Sequence, residues 1–494
     1  MRRIRARTFL IGLILAGAAA SAWQDQAPPK PALLELEPRA LSAFLAREVD
    51  ERGLVGLSLA VLRDGKILYA GGAGKSVIAG GIPVGPETGF AIGSITKQFT
   101  SACILLLAED GKLAVNDKVA KWFPNLTRVE EITVLDLLNH VSGYPDYYPL
   151  DFVDRPMQKP IAVGELIGRF GTRPLDFEPG TRYSYSNTGF VILGEIVAKA
   201  SGRPFADFLE RRILKPLGMN RTVFEPPRTS PGLAQGYVTF ALSPPEDAVP
   251  EGRGWIGAAG AIYSTPSDLA KWDLALIEGR ILKPESLALM TSPRTLKDGT
   301  ISNYGCGLGI GRRYGQTILS HNGAVAGFYA LNAVLPSTKS AVVLLSNLDS
   351  YDAVDAVYRR VLNAVLPPPQ PSMALPAAPA AAKTPGPPPG VPAVSGPPPV
   401  EAARLLFLQL QAGRVDRTRL GDEFGFYLTE EKIRGTAARL KPYGEPAKVE
   451  LDSVSERGGM EVARTRLAFA KGTLRGLMYR TPDGKVQEFF ILKD

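Results

Sequence analysis

Residues 90–107 read FAIGSITKQFTSACILLL, in which a Ser-x-x-Lys pattern, Ser94 to Lys97, leads directly into an apolar run. Two residues three positions apart lie on one face of a helix, so the Lys97 amine can reach the Ser94 hydroxyl. A serine hydroxyl is a poor nucleophile without a base, and a buried lysine with a lowered pKa can serve as that base. The start of a buried helix also directs backbone N–H groups towards a developing oxyanion. The stretch therefore predicts an activated serine at the start of a core helix.

A second pattern, Tyr185-Ser186-Asn187, precedes an apolar helical run at residues 190–198. This second pattern is needed because Ser-x-x-Lys has low specificity, and about two chance matches are expected in a chain of this length. A phenol perturbed by a nearby ammonium can shuttle a proton, and Asn187 can hold both the lysine and a substrate carbonyl. The alternative for the same residues is a turn, with Asn187 as a turn or cap residue.

A third pattern, SHNGA at residues 320–324, contains His321, Gly323 and Ala324. A polar residue and a glycine at the start of a strand suit an edge along which a substrate lies, since glycine allows close backbone approach. The alternative is an ordinary strand start with a solvated histidine. The sequence at this position leaves both interpretations open.

Several other classes of site are excluded by what the sequence lacks. His140 and His321 are the only histidines and do not have the spacing of metal ligands, so we expect no metal and no cofactor. His140 is expected to be a buried, hydrogen-bonded loop residue. No Gly-x-Ser-x-Gly elbow occurs, which argues against an α/β-hydrolase. Cys103 and Cys306 are expected to be small buried residues, although an oxidising compartment would allow a bridge.

The pattern of hydrophobic residues predicts an α+β fold. Hairpins are indicated where apolar runs flank Asp64-Gly65 and at residues 328–345, and helices are indicated at residues 36–49 and 352–365. Strands thus occur at both ends of a largely helical middle. We expect an antiparallel sheet, packed by the first and last of these helices, beside a helical subdomain.

The first residues of the chain and a segment after residue 366 differ in composition from the rest. Residues 1–22 combine basic residues, an apolar run and a small-x-small site, which is typical of a secretion signal, and residues 23–35 form a spacer. Residues 367–400 are rich in Pro and Ala and are expected to be an extended linker. Residues 401–494 are expected to form a small α+β accessory domain without chemistry of its own, since they lack His and Cys.

Charge and hydropathy limit the partners of the chain. Removing the four arginines of the signal lowers the formal net charge from +8 to about +4, which does not indicate a nucleic-acid partner. The apolar run near the start is short for a bilayer, so no stable membrane span is expected after signal removal. We therefore expect a periplasmic or secreted protein.

The order Ser-x-x-Lys, Tyr-x-Asn and a Lys/His-x-Gly strand resembles the serine β-lactamase and penicillin-recognising family, especially its class C, DD-peptidase and serine-esterase branch. Residues 36–366 carry the resemblance, with further similar stretches at 137–146, 177–180, 214–219 and 259–269. The resemblance implies a β-lactamase/transpeptidase-like fold. It does not extend to residues 401–494.

By this resemblance, Ser94 attacks a carbonyl and forms an acyl-enzyme, and Lys97 and Tyr185 act as a coupled pair that moves protons. The backbone N–H groups of Ser94 and Ala324 would form the oxyanion hole, and Asn187 would position Lys97 and substrate. The implied catalytic residues are Ser94, Lys97 and Tyr185, and the implied substrate-binding or oxyanion residues are Asn187, His321, Gly323 and Ala324.

One departure from the family pattern bears on the substrate. His321 and Asn322 stand where β-lactamases carry Lys and usually Thr. A histidine with an ordinary pKa near 6.5 is mostly neutral at neutral pH, so carboxylate recognition should be weak or pH-dependent. We expect an exported serine hydrolase acting on a small molecule or peptide with a scissile ester or amide: an esterase, a D-amino-acid peptidase or DD-peptidase, or a β-lactam hydrolase. The alternative is a penicillin-binding or sensing protein with little turnover.

Overall fold

The computed structural model describes residues 34–148, 150, 153–367 and 391–493. The predicted signal peptide, residues 23–33 of the predicted spacer and residues 368–390 of the predicted linker lie outside the described residues.

The helices and strands of the described residues follow in chain order. The α-helices are α1 (Pro38–Arg52), α2 (Thr96–Glu109), α3 (Val134–Leu138), α4 (Val163–Gly171), α5 (Asn187–Ser201), α6 (Phe205–Leu209), α7 (Gly257–Gly260), α8 (Pro266–Glu278), α9 (Pro284–Met290), α10 (Tyr351–Val365), α11 (Pro399–Gln411), α12 (Asp422–Tyr427) and α13 (Glu430–Leu440). The strands are β1 (Gly56–Arg63), β2 (Lys66–Val77), β3 (Ile82–Pro83), β4 (Phe90–Ala91), β5 (Val223–Phe224), β6 (Tyr237–Val238), β7 (Glu246–Asp247), β8 (Ile262–Ser264), β9 (Arg294–Thr295), β10 (Ile301–Ser302), β11 (Gly309–Arg313), β12 (Gln316–Val325), β13 (Phe328–Leu335), β14 (Ser340–Ser346), β15 (Lys448–Arg457), β16 (Met460–Phe469), β17 (Gly472–Arg480) and β18 (Val486–Lys493).

The largest sheet has seven strands in the order β11-β12-β13-β14-β1-β2-β3, and every neighbouring pair is antiparallel. Asp64 and Gly65, both with positive φ, form the turn between β1 and β2, as the Asp-Gly pattern predicts. Helices α1 and α10 cover one face of the sheet with a shared apolar core. Helix α8 packs on the other face. The predicted α+β fold, with the first and last helices against an antiparallel sheet, is confirmed.

Helix α2 lies at the centre of the second core, which joins the sheet to the helical subdomain. All its residues from Thr96 to Leu107 are buried, polar and apolar alike, so the helix is surrounded by protein on every side. It packs against α5, α6, α7 and α9. This burial removes the lysine of the Ser-x-x-Lys pattern from solvent.

The C-terminal residues form the antiparallel sheet β15-β16-β17-β18 with helices α11 to α13 packed beside it. Helix α11 begins at Pro399, inside the segment expected to be an extended linker, because proline suits the first turn of a helix. Residues just before it also contact the sheet: Arg480 donates to the Pro397 carbonyl at 2.7 Å, and Ser395 N–H donates to the Pro482 carbonyl at 2.9 Å. The prediction of an extended linker to residue 400 is wrong at this end.

Cys103 and Cys306 are both buried and both unbridged. They therefore fill space in the core, as expected, and the bridge left open by the sequence does not form. No helix within the described ranges is both long and apolar enough to cross a membrane.

Candidate active site

Ser94 and Lys97 lie where β4 meets α2. Ser94 occupies a 3-10 turn, Gly93–Ile95, and the α-helix begins only at Thr96, two residues after the serine. This turn is fixed by the pairing of β4 with β8 and by the Ile92 N–H, which donates to the Ile262 carbonyl at 3.0 Å. Ser94 is partly exposed whereas Lys97 is fully buried, so a substrate can reach the hydroxyl but not the amine.

The Lys97 amine contacts three acceptors. Its Nζ lies 3.0 Å from Ser94 Oγ, 2.8 Å from Asn187 Oδ1 and 2.7 Å from the Ala259 carbonyl oxygen. Burial lowers the pKa of Lys97 to about 7; Asp146 opposes this shift, and Arg457 adds to it. A neutral amine retains two N–H donors for Asn187 and Ala259, and its lone pair faces the serine hydroxyl.

Asn187 is the first residue of α5, and its orientation is fixed by Asp146. The Asp146 Oδ1 accepts hydrogen bonds from the Asn187 backbone N–H and from its side-chain Nδ2, each at 3.0 Å. The alternative role of Asn187 as the helix cap is not observed, because Ser186 is the N-cap and accepts from the Gly189 N–H. The structure thus leaves Asn187 Oδ1 to accept from Lys97.

Tyr185 completes the pocket around the lysine. Its ring centroid lies 4.8 Å from Lys97 Nζ and 4.3 Å from the His140 ring. The Tyr185 hydroxyl is buried near Ser94 without reaching hydrogen-bond geometry with any described residue. Burial raises the pKa of Tyr185, and proximity to the Ser94 hydroxyl opposes the shift. The phenol is therefore protonated at neutral pH.

The His140 ring packs against the Tyr185 ring. Its Nδ1 accepts from the Ser186 N–H at 3.1 Å, and burial holds its pKa well below the ordinary value. The expectation of a buried, hydrogen-bonded loop residue is met by this geometry. The residue adopts a left-handed backbone conformation, φ 57°, at the end of the α3 segment.

His321 lies within β12 rather than at its start, because β12 first pairs with β11 over residues 316–320. It is only 8% exposed, so the alternative of a solvated histidine is wrong. Its Nε2 lies 2.8 Å from Tyr304 Oη, and its Nδ1 lies 2.5 Å from the Asn322 carbonyl oxygen. Burial, and to a lesser degree the charge of Lys97, lowers its pKa to about 4. The ring is therefore neutral at physiological pH.

The backbone of β12 passes very close to the serine turn. A Cβ added to Gly323 would lie 1.9 Å from the Ile92 carbonyl oxygen and 2.9 Å from the Ser94 nitrogen. A Cβ added to Gly93 would lie 2.8 Å from the Ala324 nitrogen. Two glycines thus allow the strand and the serine turn to approach each other closely, with the Ser94 and Ala324 backbone nitrogens at the contact.

A cleft of about 410 Å³ opens from this site. Ser94, Tyr185, His321 and Ala324 line its inner end. Residues of β15, β16 and β17 line the other side, among them Arg457. The C-terminal residues, to which the sequence assigned no chemistry, therefore form part of the wall of the cleft.

Four groups at the site were missed by the sequence reasoning: Asp146, the Ala259 carbonyl, Tyr304 and Arg457. Asp146 and Ala259 lie in stretches that carry the family resemblance, so a closer examination of those stretches could have proposed them. Tyr304 and Arg457 have no local pattern that marks them. Within the described part of the chain, no cluster of His, Cys, Asp and Glu could hold a metal ion.

Comparisons with known sequences show the family to which the chain belongs. The sequence model of the Beta-lactamase family matches residues 41–366. Penicillin-binding protein 4* of Bacillus subtilis is 32% identical over 302 residues, which cover 57% of this chain and 66% of that protein. A D-aminopeptidase of Gluconobacter oxydans is 32% identical over 321 residues, which cover 62% of this chain and 58% of that protein. The chain thus spans somewhat less than two thirds of the length of these two curated relatives.

Solved structures of related proteins are also similar to this chain. The D-amino acid amidase of Ochrobactrum anthropi SV3, complexed with L-phenylalanine amide, is 31% identical with a TM-score of 0.57, covering 66% of this chain and 97% of that chain. The octameric penicillin-binding protein homologue of Pyrococcus abyssi, 23% identical with a TM-score of 0.58, covers 91% of this chain and 98% of that chain, and shows likeness of fold alone. The chain therefore belongs to the Beta-lactamase family and has a serine β-lactamase/transpeptidase-like fold.

Proposed function

We propose that this protein is a serine hydrolase that cleaves amide or peptide bonds of D-amino-acid substrates through an acyl-enzyme on Ser94. The observation that carries the proposal is the 3.0 Å contact between Ser94 Oγ and a fully buried Lys97 amine whose pKa is lowered to about 7. An amine with that pKa is half neutral near pH 7 and can accept a proton from the serine.

Acylation begins when Lys97 Nζ takes the Ser94 hydroxyl proton and Oγ attacks the substrate carbonyl carbon. The carbonyl π electrons move to oxygen, and the resulting oxyanion accepts hydrogen bonds from the Ser94 and Ala324 N–H groups. Asn187 and the Ala259 carbonyl hold the amine in line with the hydroxyl throughout.

Collapse of the tetrahedral intermediate breaks the C–N bond and needs a proton on the leaving amine. Tyr185 is suited to deliver it, because its raised pKa keeps the phenol protonated and its hydroxyl is close to Ser94. The proton on Lys97 then restores the phenol. In deacylation, the same pair of residues takes a proton from water as the water oxygen attacks the ester carbon. The bond between that carbon and Ser94 Oγ then breaks, and the pair returns the proton to Oγ, which releases the acid and regenerates the serine.

The choice of D-amino-acid amides over β-lactams rests on two observations. His321 is neutral at physiological pH and cannot supply the permanent charge of the lysine that β-lactamases carry there. Named relatives include D-aminopeptidases and a D-amino acid amidase.

Active-site labelling tests the acyl-enzyme. A fluorescent penicillin or a fluorophosphonate should label the wild type and not Ser94→Ala. Equal labelling of both proteins would contradict the proposal. Lys97→Ala and Tyr185→Phe should each lower the rate by at least about a hundredfold, as expected for removal of a proton-transfer group.

A substrate panel decides between the remaining functions. D-amino-acid amides should turn over faster than nitrocefin and D-Ala-D-Ala peptides, both of which carry a carboxylate, and p-nitrophenyl esters report general acyl transfer. Stoichiometric labelling without turnover of any compound would instead support the alternative of a penicillin-binding or sensing protein.

We also propose that the protein acts outside the cytoplasm, which rests on the composition of residues 1–22. N-terminal sequencing of the mature protein from a periplasmic or culture-medium fraction should begin after Ala22. A full-length protein retained in the cytoplasm would contradict export.

A further inference from the structure

A second cavity, of about 370 Å³, lies where the C-terminal helices and strands meet the larger part of the chain. One wall is formed by β6, β7 and the turn between β12 and β13, and the other by α12, the start of α13 and β18. None of its lining residues lines the cleft that opens from Ser94, so the two spaces are distinct. Sites for small molecules are commonly roughly 300–1,000 Å³ and often lie at such junctions.

The wall of this cavity is largely aromatic. Six aromatic side chains line it: Phe240, Phe424, Phe426, Tyr427, Phe489 and Phe490. Phe426 is 60% exposed, and Val249, which also lines the cavity, is 55% exposed. Large apolar side chains are thus left in contact with solvent beside a preformed space. The apolar body of a ligand would displace water from these surfaces, which favours binding.

Two of these rings already have a cation over their faces. The Arg155 guanidinium carbon lies 4.0 Å from the centroid of the Phe426 ring, and Lys432 Nζ lies 4.8 Å from the centroid of the Tyr427 ring. The face of an aromatic ring is negative and attracts cations. The aromatic wall therefore favours positive charge next to it as well as apolar surface.

Carboxyl groups outnumber cations on the same wall. Five carboxyl groups and two cationic side chains line the cavity within the described part of the chain. Both cations pair with carboxylates, Arg155 with Glu423 at 2.9 Å and Lys432 with Glu246 at 2.8 Å. Asp247 of β7 is exposed and forms no ion pair with another described residue. An anionic ligand would therefore meet an excess of negative charge, whereas a cationic ligand would be attracted.

The segment between β6 and β7 gives the cavity a fixed wall. Arg439 of α13 donates to the Ala241 carbonyl at 2.8 Å and to the Phe240 carbonyl at 3.2 Å. Ala241 and Leu242 have φ of 45° and 64°. This left-handed conformation costs free energy at residues other than glycine, and it persists where the surroundings hold it. A ligand would therefore bind to a wall that is already ordered, at a low entropic cost.

We propose that this cavity is a binding site for a small organic cation: an ammonium group carried on an aromatic or other apolar body. The apolar body would lie against the phenylalanine rings, and the ammonium group would lie beside Asp247. The inference goes beyond the proposed function, because the site shares no lining residue with the cleft at Ser94 and does not depend on the acyl-enzyme.

The test compares three probes that share an indole body and differ in charge: tryptamine, tryptophol and indoleacetate. Isothermal titration calorimetry on the full chain measures the affinity of each probe without requiring turnover. Tryptamine should bind saturably, with a Kd at least about tenfold lower than that of neutral tryptophol, as attraction to the carboxylates and rings implies. Indoleacetate, which is anionic, should bind more weakly than tryptophol.

Variants of Asp247 test the role of charge. Asp247→Asn should raise the Kd of tryptamine by about threefold or more and leave that of tryptophol unchanged, because only the charged probe interacts with the carboxylate. Asp247→Lys should raise the Kd of tryptamine further. Asp64→Asn, which changes an exposed carboxylate that does not line the cavity, should keep the wild-type affinity.

A variant of Phe426 tests the aromatic wall. Phe426→Ala should raise the Kd of both tryptamine and tryptophol by about threefold or more, because apolar contact is lost for each. Tyr314→Ala is the matched control and should keep the wild-type affinities. Tyr314 is 45% exposed, has Arg313 at 5.2 Å from its ring centroid, and does not line the cavity.

Each contrary outcome overturns the site. Absence of saturable tryptamine binding to the wild type, or equal affinity for tryptamine and tryptophol, shows that the cavity does not select an organic cation. Unchanged tryptamine affinity in either Asp247→Asn or Phe426→Ala, or an equal loss in its control, places the binding elsewhere on the chain. A wild-type Tm shows that each variant has folded. Failure of labelling at Ser94 would overturn the proposed function and leave this inference standing.

Discussion

Asp146 accepts two hydrogen bonds from Asn187, one from the backbone N–H and one from the side-chain amide, each at 3.0 Å. This pair fixes the amide so that its oxygen faces Lys97, 2.8 Å away. Asp146 thus acts on the lysine through Asn187 as well as through its own charge, and we regard it as a positioning residue.

Removing Asp146 should therefore impair the reaction. We expect Asp146→Ala to lower kcat/KM by about tenfold or more, because two hydrogen bonds to a charged group are lost and Asn187 can rotate. Steady-state kinetics on a D-amino-acid amide measure the effect. Asp64→Asn, which changes an exposed carboxylate in the β1–β2 turn, is the control. Equal rates in wild type and Asp146→Ala would remove Asp146 from the site.

The pH profile should move in opposite directions when the two charges around Lys97 are removed. The base works when neutral, so kcat/KM of the wild type should fall as pH drops through about 7. Asp146 raises the pKa of Lys97 and Arg457 lowers it. Asp146→Asn should thus shift the acid limb to lower pH, and Arg457→Ala should shift it to higher pH. Limbs that coincide in all three proteins would show that Lys97 is not the titrating group.

Tyr185→Phe should lose activity without losing stability. The hydroxyl is buried without a hydrogen-bond partner among the described residues, so its deletion removes no bond from the folded state. Tyr144→Phe is a matched control: it deletes a hydroxyl that donates to the Thr127 carbonyl at 3.0 Å, and it should lower stability by about 1 kcal/mol. Thermal unfolding and amidase rates, measured together, test the pair. A large drop in Tm for Tyr185→Phe alone would contradict this assignment.

Gly323→Ala should block the proposed oxyanion hole. Its Cβ would meet the Ile92 carbonyl oxygen at 1.9 Å, so the strand or the serine turn must move. We expect a loss of about a hundredfold or more in kcat, comparable to removal of an oxyanion donor. Gly311→Ala, on neighbouring β11, meets only the Ile318 carbonyl oxygen at 3.9 Å and should behave as wild type. Similar rates for the two variants would argue against the oxyanion assignment.

Asp273 should make stability depend on pH. It is buried on α8, where both of its oxygens accept from Asn332 Nδ2 at 3.0 and 2.8 Å, and burial raises its pKa to about 8. The folded chain therefore keeps a proton that the unfolded chain releases, so this carboxyl favours folding at low pH and the effect is lost as pH rises to about 8.

Asp273→Asn removes this titration. We expect the variant to gain stability relative to wild type between about pH 5 and pH 8, as followed by Tm at each pH. Asp64→Asn should show a constant difference from wild type over the same range. A constant difference for Asp273→Asn as well would mean that Asp273 does not titrate in this range.

Much of the fold followed from local patterns. The Asp64-Gly65 turn needs positive φ at both residues, and an Asp-Gly pair between apolar runs meets that need without help from the rest of the chain. Helix α2 could be predicted because an apolar run of that length is more typical of a buried helix than of a strand. The sequence did not predict the beginning of α11. In a proline-rich segment, the proline that starts a helix cannot be distinguished from the prolines of the linker.

The sequence by itself determined the Ser94–Lys97 pair, since three positions along a turn place the two side chains together whatever surrounds them. Only the tertiary structure decided what that pair can do. The pKa of Lys97 depends on burial by distant segments, and the neutrality of His321 depends on burial as well. Arg457 lines the same cleft as Ser94 but comes from a separate sheet. Desolvation and charge act through space, so no pattern within one stretch of sequence could reveal them.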